Sequence, residues 1–301
     1  MQPAEPALRQ LATEQANPAS AALDTLSALE IVRLMNAEDV HVPEAVGREL
    51  PAIAAAVEAI TGRLRAGGHL FYVGAGTSGR LGTLDAAECP PTFSTSPELV
   101  QALIAGGPPA LTHAVEGAED DPAAGRRDLL AAGVSGTDAV VGISASGRAP
   151  YVLGALDLAR ELGAATIGLC CTGGSAFVDR CDIVIAPLVG PEVLTGSTRL
   201  KAGTAQKLVL NMLSTATMVR LGKCYGNLMV DMRATNSKLR DRAARIVSAV
   251  TGSDYADAWS TLEAADFETK VAIVMLKTGG GRQAAQQRLD RSDGHLRAAL
   301  G

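Results

Sequence analysis

"HLFYVGAGTSGRLGTLDAAECPP", residues 69–91, carries an apolar strand straight into a glycine-rich turn bearing the hydroxyls of Thr77 and Ser78. Gly74-x-Gly76-x-x-Gly79 has the spacing of a dinucleotide fingerprint. That reading needs a second strand ending in an acidic residue about 20 positions on, which grips the ribose. Here the helix expected over Ser78–Ala87 runs into Glu88-Cys89-Pro90-Pro91, where two prolines predict its end. The nearest acid, Glu98, precedes its strand instead of following it. The nucleotide reading fails on context. Strand, glycine turn and helix remain a device for holding an anion, because the first N–H groups of a helix lack intrahelical acceptors and point outward with the positive end of the dipole.

Further apolar runs follow at VQALIAG (100–106), DAVVGISA (138–145), AATIGLCC (164–171) and CDIVIAP (181–187). Helix-sized segments lie between them, at Pro108–Glu116, Pro122–Ala132 and Tyr151–Leu162. Asp121-Pro122 pairs a capping acid with proline at the first helical position. Near-continuous apolar strands alternating with helices predict an α/β fold: a three-layer α-β-α arrangement around a five-stranded, mainly parallel sheet. Upstream, helices are expected over Ala21–Met35 and Pro43–Arg65, after a polar, alanine-rich and loosely held stretch at 1–20. A long helix is expected over Ser197–Leu221. Beyond about Lys238 the strands stop, and short helices follow at Ala243–Thr251, Asp254–Ala265, Glu268–Leu276 and Gly281–Asp290. The expected organisation is thus an N-terminal helical segment (1–66), an α/β core with its long following helix (67–238) and a small helical C-terminal domain (239–301).

The bulk numbers exclude several function classes. With 301 residues, 47% of them hydrophobic, the chain can bury a substantial core. Its net charge of −5 comes without any concentrated basic block, which argues against nucleic acid and anionic membrane as partners. Cys89, Cys170, Cys171, Cys181 and Cys224 form no C-x-x-C pair, so neither a zinc cage nor a disulfide framework fits, and a reducing cytoplasm is the expected home. The four histidines lack ligand spacing, so no metal is expected. The N-terminus has no leader-like apolar core, and no apolar run reaches the roughly 18 residues of a membrane span.

A second loop repeats the first design. GISASGRAPY (142–151) is a strand end followed by Ser144, Ser146 and Gly147, then a helix opening near Pro150. Thr195-Gly196-Ser197-Thr198 starts the long helix in this reading, with Arg199 and Lys201 close behind. Each hydroxyl alone reads as an ordinary cap. Three clusters together suit a phosphate monoester on a small sugar, held at the carboxyl ends of the strands. The ligand set expected is Gly76, Thr77, Ser78, Ser144, Ser146, Gly147, Ser197, Thr198 and Lys201. Glu88 closes an alanine-rich helix near this site. Glu116, Glu119, Asp120 and Asp121 form an acidic run whose default reading is a solvated face plus the Asp121 cap. Two carboxylates at one sugar can divide acid and base work.

GAGTSGRLGTLDAAECPPTF, HAVEGAEDD, VVGISASGRAPYV, EVLTGSTRLKAGTAQKLVLNMLSTATM and GNLMVDMRATNSKL, with TEQANPASAALDTLSALEIVRLMNAED upstream, resemble the N-acetylmuramic acid 6-phosphate etherases. That family belongs to the sugar isomerase superfamily, which also holds the glucokinase regulatory protein. The resemblance implies a cofactor-free homodimer that converts N-acetylmuramic acid 6-phosphate and water to N-acetylglucosamine 6-phosphate and D-lactate during cell-wall sugar recycling. It also implies that Glu88, in the DAAECPP motif, donates a proton, and that Glu119, in GAED, is the second catalytic carboxylate. An aldose–ketose isomerase and a sugar-phosphate-sensing regulator are the alternatives. Release of lactate separates them from an etherase.

Overall fold

The computed structural model describes residues 12–232 and 234–301; the expected loose stretch at 1–20 therefore lies outside the described residues up to residue 11. The chain divides into two compact units, Met1–Ala87 with Glu98–Ser214, and Glu88–Pro97 with Thr215–Gly301. The division falls within the long helix and not near residue 238, and the N-terminal helices belong to the first unit.

The first unit is built on five parallel strands: β1 (Leu70–Gly74), β2 (Val100–Ile104), β3 (Ala139–Ile143), β4 (Ala165–Leu169) and β5 (Ile183–Ile185), in the order β2-β1-β3-β4-β5. β1, β3 and β4 are buried along their whole length, which explains why their sequences are apolar without alternation. From β1 the chain moves outward to β2, then returns to place β3 on β1's other side. The order therefore reverses between β1 and β3, the crevice where open α/β sheets bind ligands. These two strands end in register, Gly74 opposite Ile143, so the loops that follow emerge side by side.

The helices are α1 (Ala28–Asp39), α2 (His41–Arg48), α3 (Leu50–Arg65), α4 (Gly76–Phe93), α5 (Pro122–Ala131), α6 (Pro150–Glu161) and α7 (Lys201–Arg220), of which α3 and α6 pack directly on strands of the sheet. Several boundaries differ from expectation. The first helix starts at Ala28 because Ser27 and Glu30 form a capping box, with Ser27 N–H donating to Glu30 Oε2 at 2.8 Å. The single helix expected over Pro43–Arg65 divides at Glu49, since Pro51 has no N–H to continue the ladder. Pro108–Leu111 is only a 3-10 turn, followed by an irregular stretch. Most consequentially, α4 does not stop at Ala87. It passes through Pro90 and Pro91 to Phe93, carrying them in its last turns at the loss of one N–H bond each to the carbonyl four residues back. Ser94 N–H then closes on the Pro90 carbonyl at 3.0 Å.

The second unit takes in the end of α4 from Glu88 and of α7 from Thr215. It continues with α8 (Ser237–Thr251), α9 (Tyr255–Ala264), α10 (Thr269–Thr278), α11 (Arg282–Asp290) and α12 (Leu296–Leu300). Asn236 and Asp254 cap α8 and α9 through the N–H groups of Leu239 (2.9 Å) and Asp257 (2.8 Å), which sets α8's start well before Ala243. Ala243, Val247, Leu262, Ala272 and Ile273 make a core of its own. No helix among the described residues is long and apolar enough to cross a membrane.

Candidate active site

Two glycines let β1 and α4 meet closely enough to form the first loop. A Cβ on Gly74 would sit 2.6 Å from the Gly79 nitrogen, and one on Gly79 would sit 2.6 Å from Ile104 Cγ1. Gly76 opens α4 at φ +51°, a conformation that other residues adopt only at a cost. The fingerprint glycines thus serve the turn and the helix–strand contact. Ser78, buried, donates its hydroxyl to Gln206 Oε1 at 3.0 Å, which orients it at the helix start.

The second loop is pinned to β4: Ser144 N–H donates to Leu169 O (3.0 Å) and Cys171 N–H to Ala145 O (2.9 Å). Ser144 and Ser146 hydroxyls lie 3.4 Å apart, and Arg148 N–H donates to Ser146 Oγ at 3.3 Å. Gly147 takes φ +63°, and a Cβ there would lie 2.5 Å from Ser175 Cβ. The two loops line one cleft of about 510 Å³, shared with Glu14, Glu119, Asp120, Arg148, Gly196 and Thr198. A smaller recess of about 270 Å³ shares Gly76, Glu119 and Asp120 and adds Arg80, His113 and Glu116. Arg80 organises its wall: Nε donates to the carbonyls of Ala110 (3.0 Å) and Leu111 (3.1 Å), and Nη2 to that of His113 (3.1 Å). Asp121 caps α5 through Ala124 N–H at 3.0 Å, as its sequence predicts, and this fixes the end of the turn that carries Glu119 and Asp120.

Of the residues named from sequence, Gly76, Thr77, Ser78, Ser144, Ser146, Thr198 and Glu119 line the cleft. Gly147 shapes the loop from beneath. Ser197 does not line it, and Lys201 is turned elsewhere. Lys201 is buried, with Nζ donating to Glu38 Oε2 at 2.6 Å, and Asn17 Nδ2 reaches the same oxygen at 2.8 Å. The Lys201 bond holds the Glu38 carboxyl below its ordinary range. The hydroxyl cluster at 195–198 does not start the long helix either. α7 begins at Lys201, and its first N–H groups, those of Lys201 and Ala202, are taken by the two oxygens of buried Glu192 at 2.9 Å each. An internal carboxylate thus occupies the position at which the sequence reading put an external anion. Burial pushes Glu192's carboxyl up, against the pull of those two bonds. Glu88 is exposed, on the turns of α4 that belong to the second unit.

Sequence reasoning missed Glu14, Asp120 and Arg148 as cleft residues and Arg80 as the loop's organiser. Arg148 sits one position after Gly147, inside the very motif that marked the loop. Glu14 had no signal beyond its place in TEQANP. The second unit holds its own cavity, about 580 Å³, around a Lys223–Asp231–Lys270 cluster with both Nζ···Oδ2 distances at 2.9 Å. Lys270 is buried there, and burial lowers its ammonium below the usual range.

A parallel sheet whose switch-point cleft lies between two hydroxyl-bearing strand-end loops, with Glu14, Glu119, Asp120 and Arg148 along it, here belongs to a protein of the sugar isomerase (SIS) class. Two family models agree: the glucokinase regulatory protein N-terminal SIS domain matches residues 52–160, and the SIS domain matches residues 120–216. A solved Bacteroides fragilis structure, described as a putative phosphosugar isomerase involved in capsule formation, shares the fold at TM-score 0.50 and 20% identity, covering 64% of this chain and 91% of its own. Within that class the relatives are specific. The chain is 57% identical over 290 residues to the N-acetylmuramic acid 6-phosphate etherase of Serratia proteamaculans, covering 96% of this chain and 98% of that one. It is 55% identical over 293 residues to that of Streptomyces avermitilis, covering 97% and 94%. The chain belongs to the N-acetylmuramic acid 6-phosphate etherase family.

Proposed function

We propose that this protein cleaves the D-lactyl ether of N-acetylmuramic acid 6-phosphate to give N-acetylglucosamine 6-phosphate and D-lactate. The observation that carries the reading is the cleft itself, where neutral donors from two strand-end loops share one cavity with Glu119. Thr77, Ser78, Ser144, Ser146 and Thr198, with the first amides of α4, hold the phosphate; Gly76 and Gly147 let the backbone approach it. Binding so far from the breaking bond positions the sugar and supports the chemical step.

In the open-chain sugar the C1 aldehyde acidifies the hydrogen on C2. A carboxylate removes that proton, and the electron pair then expels the lactyl oxygen from C3 as a second carboxyl group protonates it. Water adds to C3, C2 is reprotonated, and the roles of the two groups reverse. We assign the leaving-group proton to Glu88 and the C2 proton to Glu119. No metal or cofactor enters these steps. We further expect the enzyme to act as a homodimer in the cytoplasm.

The bond assignment is testable with labelled water. In H₂¹⁸O, elimination and re-addition put the label on the C3 oxygen of N-acetylglucosamine 6-phosphate and leave lactate unlabelled. Label in the lactate would mean cleavage on its other side, and the mechanism would be wrong.

A further inference from the structure

The charged side chains described along the cleft are three acids, Glu14, Glu119 and Asp120, and a single cation, Arg148. Arg148 is half-buried, and its Nε is shut off from solvent with no hydrogen-bond partner among the described residues. No ion pair among the described residues involves it, although carboxylates share its cavity. Its neighbour in the smaller recess, Arg80, is by contrast committed to three backbone carbonyls. The Arg148 backbone is fixed through Ser146 and the left-handed Gly147. A partly desolvated guanidinium without a partner is costly unless a ligand supplies one. Its planar fork of donors matches a carboxylate.

The substrate of the proposed reaction carries two anions, a phosphate on C6 and the carboxylate of the lactyl group on C3. The hydroxyl loops and the α4 amides provide for the first. The second must enter a cavity that already holds three acids, and it is repelled there unless a cation faces it. We propose that Arg148 binds the lactyl carboxylate and is the residue by which the cleft selects a sugar ether that bears an acid. This rests on the etherase reading and assigns it a specificity determinant.

The experiment compares wild type with Arg148→Gln and Arg148→Lys on three compounds. These are N-acetylmuramic acid 6-phosphate, its neutral analogue 3-O-ethyl-N-acetylglucosamine 6-phosphate, and N-acetylglucosamine 6-phosphate as a competitive inhibitor. In Arg148→Gln, kcat/KM for the acid substrate should fall about 10- to 100-fold, as for loss of a charged hydrogen-bond pair. The inhibition constant of N-acetylglucosamine 6-phosphate should stay within about threefold of wild type, which also shows that the variant cleft is folded. The ratio of activity on the neutral ether to activity on the acid substrate should rise correspondingly, and Arg148→Lys should fall between. Equal weakening of substrate and inhibitor would place Arg148 at the phosphate or in the scaffold and overturn the assignment. An unchanged kcat/KM for the acid substrate would overturn it too. If wild type itself released no lactate, the etherase reading would fail first, a result that none of the variant comparisons can mimic.

Discussion

Replacing Gly147 by Ala tests how the second loop is held. The residue sits at φ +63°, where an L side chain costs about 1–2 kcal/mol. Its Cβ would also lie 2.5 Å from Ser175 Cβ and 3.2 Å from Cys170 Cβ, an overlap that must push the loop or the Ser175 segment aside. Overpacking of that kind costs about 1–3 kcal/mol, so the total is about 2–5 kcal/mol. For a unit of this size each kcal/mol shifts the melting temperature by about 2–4 °C. Gly133→Ala is the matched control: φ is +82°, and nothing lies within 4 Å of its Cβ. Both replacements lose the same backbone freedom in the unfolded chain, so that contribution cancels. Thermal unfolding of the two variants should therefore differ by the overlap alone, with Gly147→Ala lower. Binding of N-acetylglucosamine 6-phosphate should weaken about tenfold or more in Gly147→Ala and remain unchanged in Gly133→Ala. Equal destabilisation, or a loop variant that binds the sugar phosphate normally, would refute the claim that close packing at Gly147 shapes the site.

Glu192→Ala should destabilise the first unit by about 2–4 kcal/mol in urea unfolding, because the Lys201 and Ala202 N–H groups lose their acceptors inside the protein; Glu192→Gln, which keeps one acceptor, should cost less. Asp85 is buried, accepting hydrogen bonds from Tyr72 (2.9 Å) and Ser214 (3.1 Å), and burial raises its carboxyl above the ordinary 3.8. Its contribution to stability is then complete below that value and is lost as pH rises through the raised native one. The melting temperature of Asp85→Asn relative to wild type should accordingly climb as pH rises above the ordinary carboxylate range; a flat difference would contradict the shift. Glu119→Gln should lower lactate release by about 10²–10⁴-fold and abolish deuterium exchange at C2, whereas Glu88→Gln should lose lactate release while keeping the exchange. Intact exchange in Glu119→Gln would exclude it as the C2 base.

The strands were legible because a sheet covered on both faces writes itself as apolar runs, and the hydroxyl loops were legible because they sit directly at strand ends. Two helix ends were not. Pro90-Pro91 reads as a stop, yet each proline forfeits only its own N–H bond to the carbonyl four residues back, and α4 runs on to Phe93. The start of α7 was hidden because its cap, Glu192, comes from nine residues upstream, while the nearer hydroxyls at Ser197 and Thr198 looked like the local solution. Lys201 was misplaced for the same reason: its partner, Glu38, lies on α1, far away in the chain. Glu14 lines the cleft only through the tertiary fold, with no local signal, whereas Arg148 stood inside the loop motif and was passed over for its hydroxyl neighbours. Local chemistry reached the loops. The charges around them required the structure.

Incubating the purified protein with N-acetylmuramic acid 6-phosphate, without added metal or nucleotide, and measuring D-lactate puts the etherase assignment to its plainest test. Lactate and N-acetylglucosamine 6-phosphate should appear in equal amounts, with release lost in Glu88→Ala. Tight binding of the sugar phosphate without lactate would contradict the assignment and mark the protein as a sensor of the sugar rather than its etherase.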